Sequence, residues 1–153
     1  MQRLRKSALI GATALMVAAT GSDDIAWPDG FRGWTAVHSG VITSASPLFA
    51  RFGGIHTTYA NALAMQGYRG GAFPDGSVIV FDVRETGPGP AYYEPVRRKQ
   101  VDVMIKADGR WRFTEFAGDS RTDRTVTATR GDTQCAGCHT KAPRDSVYSR
   151  IES

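Results

Sequence analysis

Cys135-Ala136-Gly137-Cys138-His139 is the stretch of this chain best suited to chemistry. It reads C-x-x-C-H, the spacing of covalent haem attachment. Two thiols three positions apart on a helical turn can add across the two vinyl groups of a haem. The imidazole that follows is then placed under the iron as an axial ligand. Cys135 and Cys138 are therefore the candidate tethers and His139 the candidate metal ligand, with one haem c (iron) per chain as the expected cofactor.

Other uses of the pair fit less well. A thioredoxin-like redox pair would sit in a βαβ unit, and this pair lies in the last twenty residues with no such unit around it. A structural zinc needs four ligands, and only His38 and His56 remain as soft candidates. A disulfide across a two-residue loop is strained.

A haem attached in this way needs an exported chain, and the N-terminus reads as a targeting segment. Residues 1–6 are basic, residues 7–19 are uncharged and mostly apolar, and Asp23-Asp24 follow. That is the layout of a secretory signal, expected over residues 1–21 with cleavage near Val17-Ala18-Ala19. The apolar run of about 13 residues is short of the roughly 18–20 needed to span a bilayer. A single domain over 22–153, soluble and periplasmic, is the expectation, with no membrane span after signal removal.

Composition excludes other classes. The chain of 153 residues is 41% hydrophobic and 22% charged, which is globular rather than disordered or fibrous. Lys and Arg total 19 against 15 Asp and Glu. Arg3, Arg5 and Lys6 supply three of the nineteen, so the remainder is nearly neutral. Arg97-Arg98-Lys99 is the sole dense basic run, so nucleic acid is not an expected partner.

The elements that must carry the motif follow from turns and periodicity. Ser46-Pro47 opens a short helix over 48–52, with Ser46 as its N-cap, and Gly53-Gly54 ends it. Residues 55–59 are β-compatible, and 61–66 form a second short helix. Ser77–Val83 is the clearest strand, with Ile79, Phe81 and Val83 on one face and Val78, Val80 and Asp82 on the other. Residues 86–95 read as a Gly/Pro/Tyr loop. Residues 101–107 alternate again, with Asp102, Met104 and Lys106 sharing a face. Asp108-Gly109 then turns the chain into a strand over 110–116, making a hairpin. Residues 117–134 read as polar and irregular. The fold class is α+β: an antiparallel sheet with short helices packed around it and a single c-type haem, not a four-helix bundle.

Only 14 residues follow His139, and none is Met or His. Met65, Met104, His38 and His56 precede the motif and could reach back, the methionines having packing as their ordinary role. A sheet-lined pocket with no obvious sixth ligand suggests five-coordinate iron, which binds small gases or does chemistry.

The ordered set of Trp34, Phe52-Gly53-Gly54-Ile55-His56, Tyr59-Ala60-Asn61, Tyr68-Arg69, Phe73-Pro74-Asp75-Gly76-Ser77-Val78-Ile79-Val80, Val103-Met104-Ile105-Lys106, C-x-x-C-H and Asp145-Ser146-Val147-Tyr148-Ser149-Arg150 resembles the cytochrome P-460 family. The resemblance covers nearly the whole chain after the signal. It implies an antiparallel sheet with surrounding helices, a homodimer and one five-coordinate c-type haem. One branch, cytochrome P-460 proper, oxidises hydroxylamine and carries a lysine cross-linked to its haem. The other, cytochrome c′-beta, lacks that cross-link and binds nitric oxide (NO) and CO.

The cross-linking lysine falls at the position of Phe81, and no lysine lies between Lys6 and Lys99. The resemblance thus points to the cytochrome c′-beta branch, whose pair of distal phenylalanines would be Phe52 and Phe81. Two apolar rings offer no hydrogen-bond donor, which suits NO and CO better than dioxygen. The expected function is NO binding for scavenging or transport, with a redox partner protein possible. A hydroxylamine- or NO-oxidising enzyme and a simple electron-transfer cytochrome remain the alternatives. The distal acid of the P-460 enzymes would fall near Arg130, with Asp132 as a substitute. His56 is either a distal hydrogen-bonding or a structural residue. Lys106 is the strand lysine nearest the motif, either the site of a different haem cross-link or, on an edge strand, a solvated residue, and Arg144 is a candidate propionate partner.

Overall fold

The computed structural model describes residues 25–151. The expected signal segment lies outside them. Six strands form one antiparallel sheet in chain order: β1 (Thr35–Ile42), β2 (Gly54–Ala60), β3 (Val78–Pro88), β4 (Tyr93–Ala107), β5 (Arg110–Ala117) and β6 (Arg124–Val126). Four short helices interrupt or follow it: α1 (Phe49–Phe52), α2 (Ala62–Tyr68), α3 (Ala128–Gln134) and α4 (Ala136–His139). The α+β class is as expected. No described helix is long and apolar enough to cross a membrane.

Register sorts the side chains. Ile79 pairs with Ala60 on one side and Met104 on the other, and Met104 pairs with Phe113. Cross-strand partners share a face. This row packs against Ala64, Met65 and Tyr68 of α2 and against Cys135 and Ala136. One step along the same face runs a second row, Thr58–Phe81–Asp102–Glu115, joined by the same ladders. The first row is apolar and the second turns polar, so the site lies where they meet. The opposite face buries Val80, Val101, Val103 and Phe116 under Ile25 and Phe31. Helices therefore take one face, and an N-terminal segment with a 3-10 turn at Phe31–Gly33 takes the other.

Asn61 locks α2 to the sheet. Its Oδ1 accepts from Ala64 N at 2.8 Å as an N-cap and from Val78 N at 3.1 Å, while its Nδ2 donates to the Gly76 carbonyl. α1 begins one residue later than expected, after Leu48. Ser46 does not cap it directly; its Oγ accepts from Leu48 N at 3.2 Å, one turn ahead.

Two expectations are corrected. Residues 86–95 are not all loop: Thr86, Gly87 and Pro88 pair with Pro95, Glu94 and Tyr93. Here the β3–β4 hairpin extends past β2 and β5, whose pairing stops at Arg84 and Gln100. A two-stranded ribbon leaves outward N–H positions unpaired, so proline is tolerated. Residues 117–134 are not all irregular either, because they contain β6 and α3. Thr114 Oγ1 donates to the Val126 carbonyl at 2.8 Å and holds that last short strand in place.

Candidate functional site

The C-x-x-C-H segment forms one helical turn. Cys135 closes α3 and opens α4 with helical dihedrals, and Cys138 N and His139 N both donate to its carbonyl at 3.1 and 3.0 Å. Both thiols are free, with Cys135 half-buried and Cys138 exposed. α3 lies close against β5, because a Cβ on Gly131 would stand 2.1 Å from the Phe113 carbonyl oxygen. Glycine there lets the turn settle directly over the sheet.

His139 is oriented from three sides. Its ring packs 4.8 Å from that of Phe113 and 5.5 Å from that of Tyr148. Its Nδ1 donates to the Ser146 carbonyl at 2.8 Å. A carbonyl only accepts, so Nδ1 carries the proton and Nε2 keeps its lone pair. Burial holds the imidazole below its ordinary pKa against the opposing pull of the Ser146 bond, which favours the neutral form.

The Ser146 carbonyl is aimed by a tight turn in which Asp145 and Ser146 both have positive φ. Lys106 Nζ anchors that turn, donating to both Asp145 oxygens at 2.7 and 2.8 Å. On an edge strand Lys106 would be solvated. Instead β4 lies between β3 and β5, and Lys106 is buried. Arg144 donates to the Gly67 carbonyl and lies over the Phe73 ring. Tyr68 and Ser149 share a hydroxyl–hydroxyl bond at 2.6 Å.

Phe52 and Phe81 meet edge to face with centroids 5.8 Å apart. His56 lies 4.8 Å from the Phe81 ring and 5.4 Å from His38. It is buried, its Nδ1 has no partner, and burial followed by the charge of His38 lowers its pKa. Met65 and Met104 sit in the apolar cluster beside Cys135.

A polar network adjoins the ring pair, and most of it was not legible in the sequence. Arg51 lies over the Phe52 ring and its Nη2 donates to Glu115 Oε2 at 2.5 Å. Gln100 Nε2 donates to Glu115 Oε2 at 3.0 Å and to both Asp102 oxygens at 3.0 and 3.1 Å. Thr125 Oγ1 donates to Glu115 Oε1. Desolvation and the neighbouring Glu115 charge push Asp102 well above the usual carboxylate range. Burial works against the charge of Glu115, but hydrogen bonds from Asp102, Thr125 and Arg51 outweigh it and hold its pKa down. Burial raises the pKa of the Cys135 thiol, the Arg51 charge opposes it, and Asp102 and Glu115 add to it, so the network adjoins this cysteine.

Alternation groups Asp102 with Met104 and Lys106, and Glu115 with Phe113, without showing which face the helices cover. Arg51 and Gln100 carried no signal. Asp132, by contrast, is exposed within α3 and pairs with Arg112 at 3.3 Å. Arg112 alternates away from Trp111 and Phe113, so Asp132 lies off this face. Arg130 is also exposed and reaches the Thr125 carbonyl at 3.4 Å.

Two free thiols on one helical turn, followed by an imidazole whose Nε2 is available, make the donor set of covalent haem attachment. The second-residue bond from Nδ1 to a backbone carbonyl is the usual orientation of a metal-binding histidine. Fold and site together define a sheet-based haem c protein rather than a helical-bundle cytochrome. The family model for cytochrome P460 matches residues 28–149, and the chain belongs to that family. Its cofactor is haem c with iron. No curated protein matches the chain.

Proposed function

We propose that this protein is an exported, periplasmic mono-haem cytochrome of the cytochrome c′-beta kind, which binds NO and CO reversibly and serves in NO scavenging or transport. Cys135 and Cys138 would hold the haem by thioether bonds and His139 Nε2 would ligate its iron, which supplies the gas-binding position. Ser146 and Phe113 fix the orientation of His139. Phe52 and Phe81 exclude water and bulky ligands from the other side.

The observation that carries this reading is the Phe52–Phe81 ring pair, centroids 5.8 Å apart. It occupies the sheet face that also carries Phe113, the packing partner of His139. Phe81 stands where the resemblance puts the cross-linking lysine of the hydroxylamine oxidases. A homodimer and a redox partner protein accompany this proposal by the same resemblance.

A second reading, oxidation of hydroxylamine or NO, is favoured by one specific feature: the Asp102–Glu115 carboxyl pair, since such oxidation needs a base. The deciding experiment is the ultraviolet–visible spectrum of the purified haem protein, ferric and ferrous, with and without NO. A five-coordinate ferrous spectrum with an ordinary c-type Soret band that changes on adding NO and CO supports gas binding. A shifted, cross-link-type Soret band that bleaches with hydroxylamine overturns it in favour of the enzyme. A six-coordinate low-spin ferrous spectrum would make the protein an electron carrier.

A further inference from the structure

Four rings run in a row from the edge strand β1 to α1. His38 and His56 lie 5.4 Å apart at 33°, His56 and Phe81 4.8 Å apart at 36°, and Phe81 meets Phe52 edge to face at 5.8 Å. Phe81 is thus clamped, with an imidazole lying along one side of it and a phenyl ring against the other. Register places the imidazole: His56 stands across from Gly40 on β1 and Val83 on β3. A Cβ on Gly40 would come 3.1 Å from His56 Cε1 and 3.4 Å from its Nε2. Glycine there leaves the ring room to lie over β1. That strand ends the sheet, so a ring displaced past Gly40 reaches solvent.

The imidazole is buried, yet its Nδ1 has no partner among the described residues. A neutral ring bears this at the cost of one unmade hydrogen bond. A protonated ring does not. Both nitrogens then carry a proton, and Nδ1–H has no acceptor. The new charge is also buried, 5.4 Å from a second imidazole. Burial and the His38 charge accordingly lower the pKa of His56. The stack with Phe81 is therefore a place for the neutral imidazole, and a proton gives the ring reason to leave it.

We propose that His56 is a positioning residue for the Phe52–Phe81 pair. Neutral, it holds Phe81 against Phe52. On taking up a proton its ring swings to solvent, Phe81 loses its brace, the pair parts more easily and ligand entry quickens. This deepens the proposed function and rests on it. His38 from β1 is the titratable group in contact with His56. Asp102 on β4 lies across Phe81, and Arg51 of α1 lies over Phe52. Glu85 of β3 is taken up by Arg97, and Lys99 Nζ donates to the Gly53 carbonyl at 3.2 Å. Asp82 and Arg84 pair with Thr57 and Ile55, so they take the other face of the sheet.

The test is the CO association rate of the ferrous haem protein, read by flash photolysis across pH in wild type, His56→Phe and His38→Gln. In wild type the rate should rise as pH falls, by up to about tenfold, the equivalent of one aromatic contact. Its midpoint should lie below the ordinary histidine value of 6.5. His56→Phe keeps a ring beside Phe81 but has no proton to take up, and should abolish the rise. His38→Gln removes the neighbouring charge and should move the midpoint to higher pH. A wild-type rate independent of pH, or a rise that persists in His56→Phe, overturns the proposal while leaving gas binding intact. Proton NMR of the same haem protein gives a reading without CO. The Phe81 ring signals should move with the His56 titration, and Phe81 signals that ignore it overturn the proposal. Failure of CO to bind while Phe81 still follows His56 overturns the gas-binding reading and supports the positioning role.

Discussion

His139 Nδ1 lies 2.8 Å from the carbonyl oxygen of Ser146, and that carbonyl is aimed by a turn that Lys106 anchors through Asp145. The orientation of the iron ligand therefore depends on a buried lysine 33 positions earlier in the chain. Replacing Lys106 with Met leaves Asp145 uncompensated and loosens the turn. The expected cost is about 1–3 kcal/mol in stability. The bond to Ser146 also weakens, which lowers the basicity of the ligand. Resonance Raman should show the iron–histidine stretch at lower frequency, and the haem reduction potential should rise. A thermal shift with no change in that stretch would limit Lys106 to packing.

The ring pair makes a kinetic prediction. An edge-to-face aromatic contact is worth about 0.5–1.5 kcal/mol beyond its buried area. If Phe52 and Phe81 must part to admit a ligand, removing one ring lowers that barrier by a similar amount. Phe81→Ala should then speed CO association up to about tenfold, since 1.4 kcal/mol is a factor of ten. Flash photolysis reads it directly. Unchanged association would place the pair away from the path of the ligand.

Gly131 tests how closely the haem-binding helix must approach the sheet. A Cβ there would meet the Phe113 carbonyl oxygen at 2.1 Å and its carbonyl carbon at 2.7 Å, both of them backbone. Backbone cannot rotate away, so α3 must lift. Overpacking of this kind costs about 1–3 kcal/mol. Gly131→Ala should lower the thermal midpoint, and because α3 leads into Cys135, it should also lower the fraction of protein that carries covalent haem. Pyridine-haemochrome absorbance per protein measures the second effect.

What was legible in the sequence was what local rules control. The Cys135–His139 spacing, the alternation of 79–83 and 101–107, and the Asp108-Gly109 hairpin all rest on chemistry within a few residues. The Phe52–Phe81 meeting was also anticipated, though through resemblance rather than pattern. The rest depends on register. Whether Asp102 faces solvent or the site is a matter of which sheet face the helices cover, and alternation alone does not say. Glu115 gains Arg51 and Gln100 only because β4, β5 and α1 converge. The 86–95 ribbon was misread because Gly and Pro mark loops by composition, whereas pairing beyond the neighbouring strands tolerates them. Lys106 was misjudged because the strand order was unknown, and a central strand buries what an edge strand exposes.

The carboxyl pair also gives stability a defined pH dependence. Asp102 titrates above its unfolded value of 3.8 in the folded state, because burial and the Glu115 charge disfavour its anion. From about pH 4 upward the unfolded chain therefore releases this proton while the folded chain keeps it. The folded state then binds more protons, and its stability falls as pH rises until the folded value is passed. Glu115 works in the opposite sense: its folded pKa is depressed, so its contribution is present above its unfolded value and is lost as pH falls through the folded one. The pair thus favours mildly acidic conditions. Asp102→Asn keeps an N–H to offer Glu115 and has no proton to lose. The variant should flatten the alkaline decline, with a higher thermal midpoint than wild type at pH 8 and little difference at pH 4. Thermal melts of the two haem proteins across that range measure it, and parallel curves would mean that Asp102 ionises in the folded protein much as it does in the unfolded one.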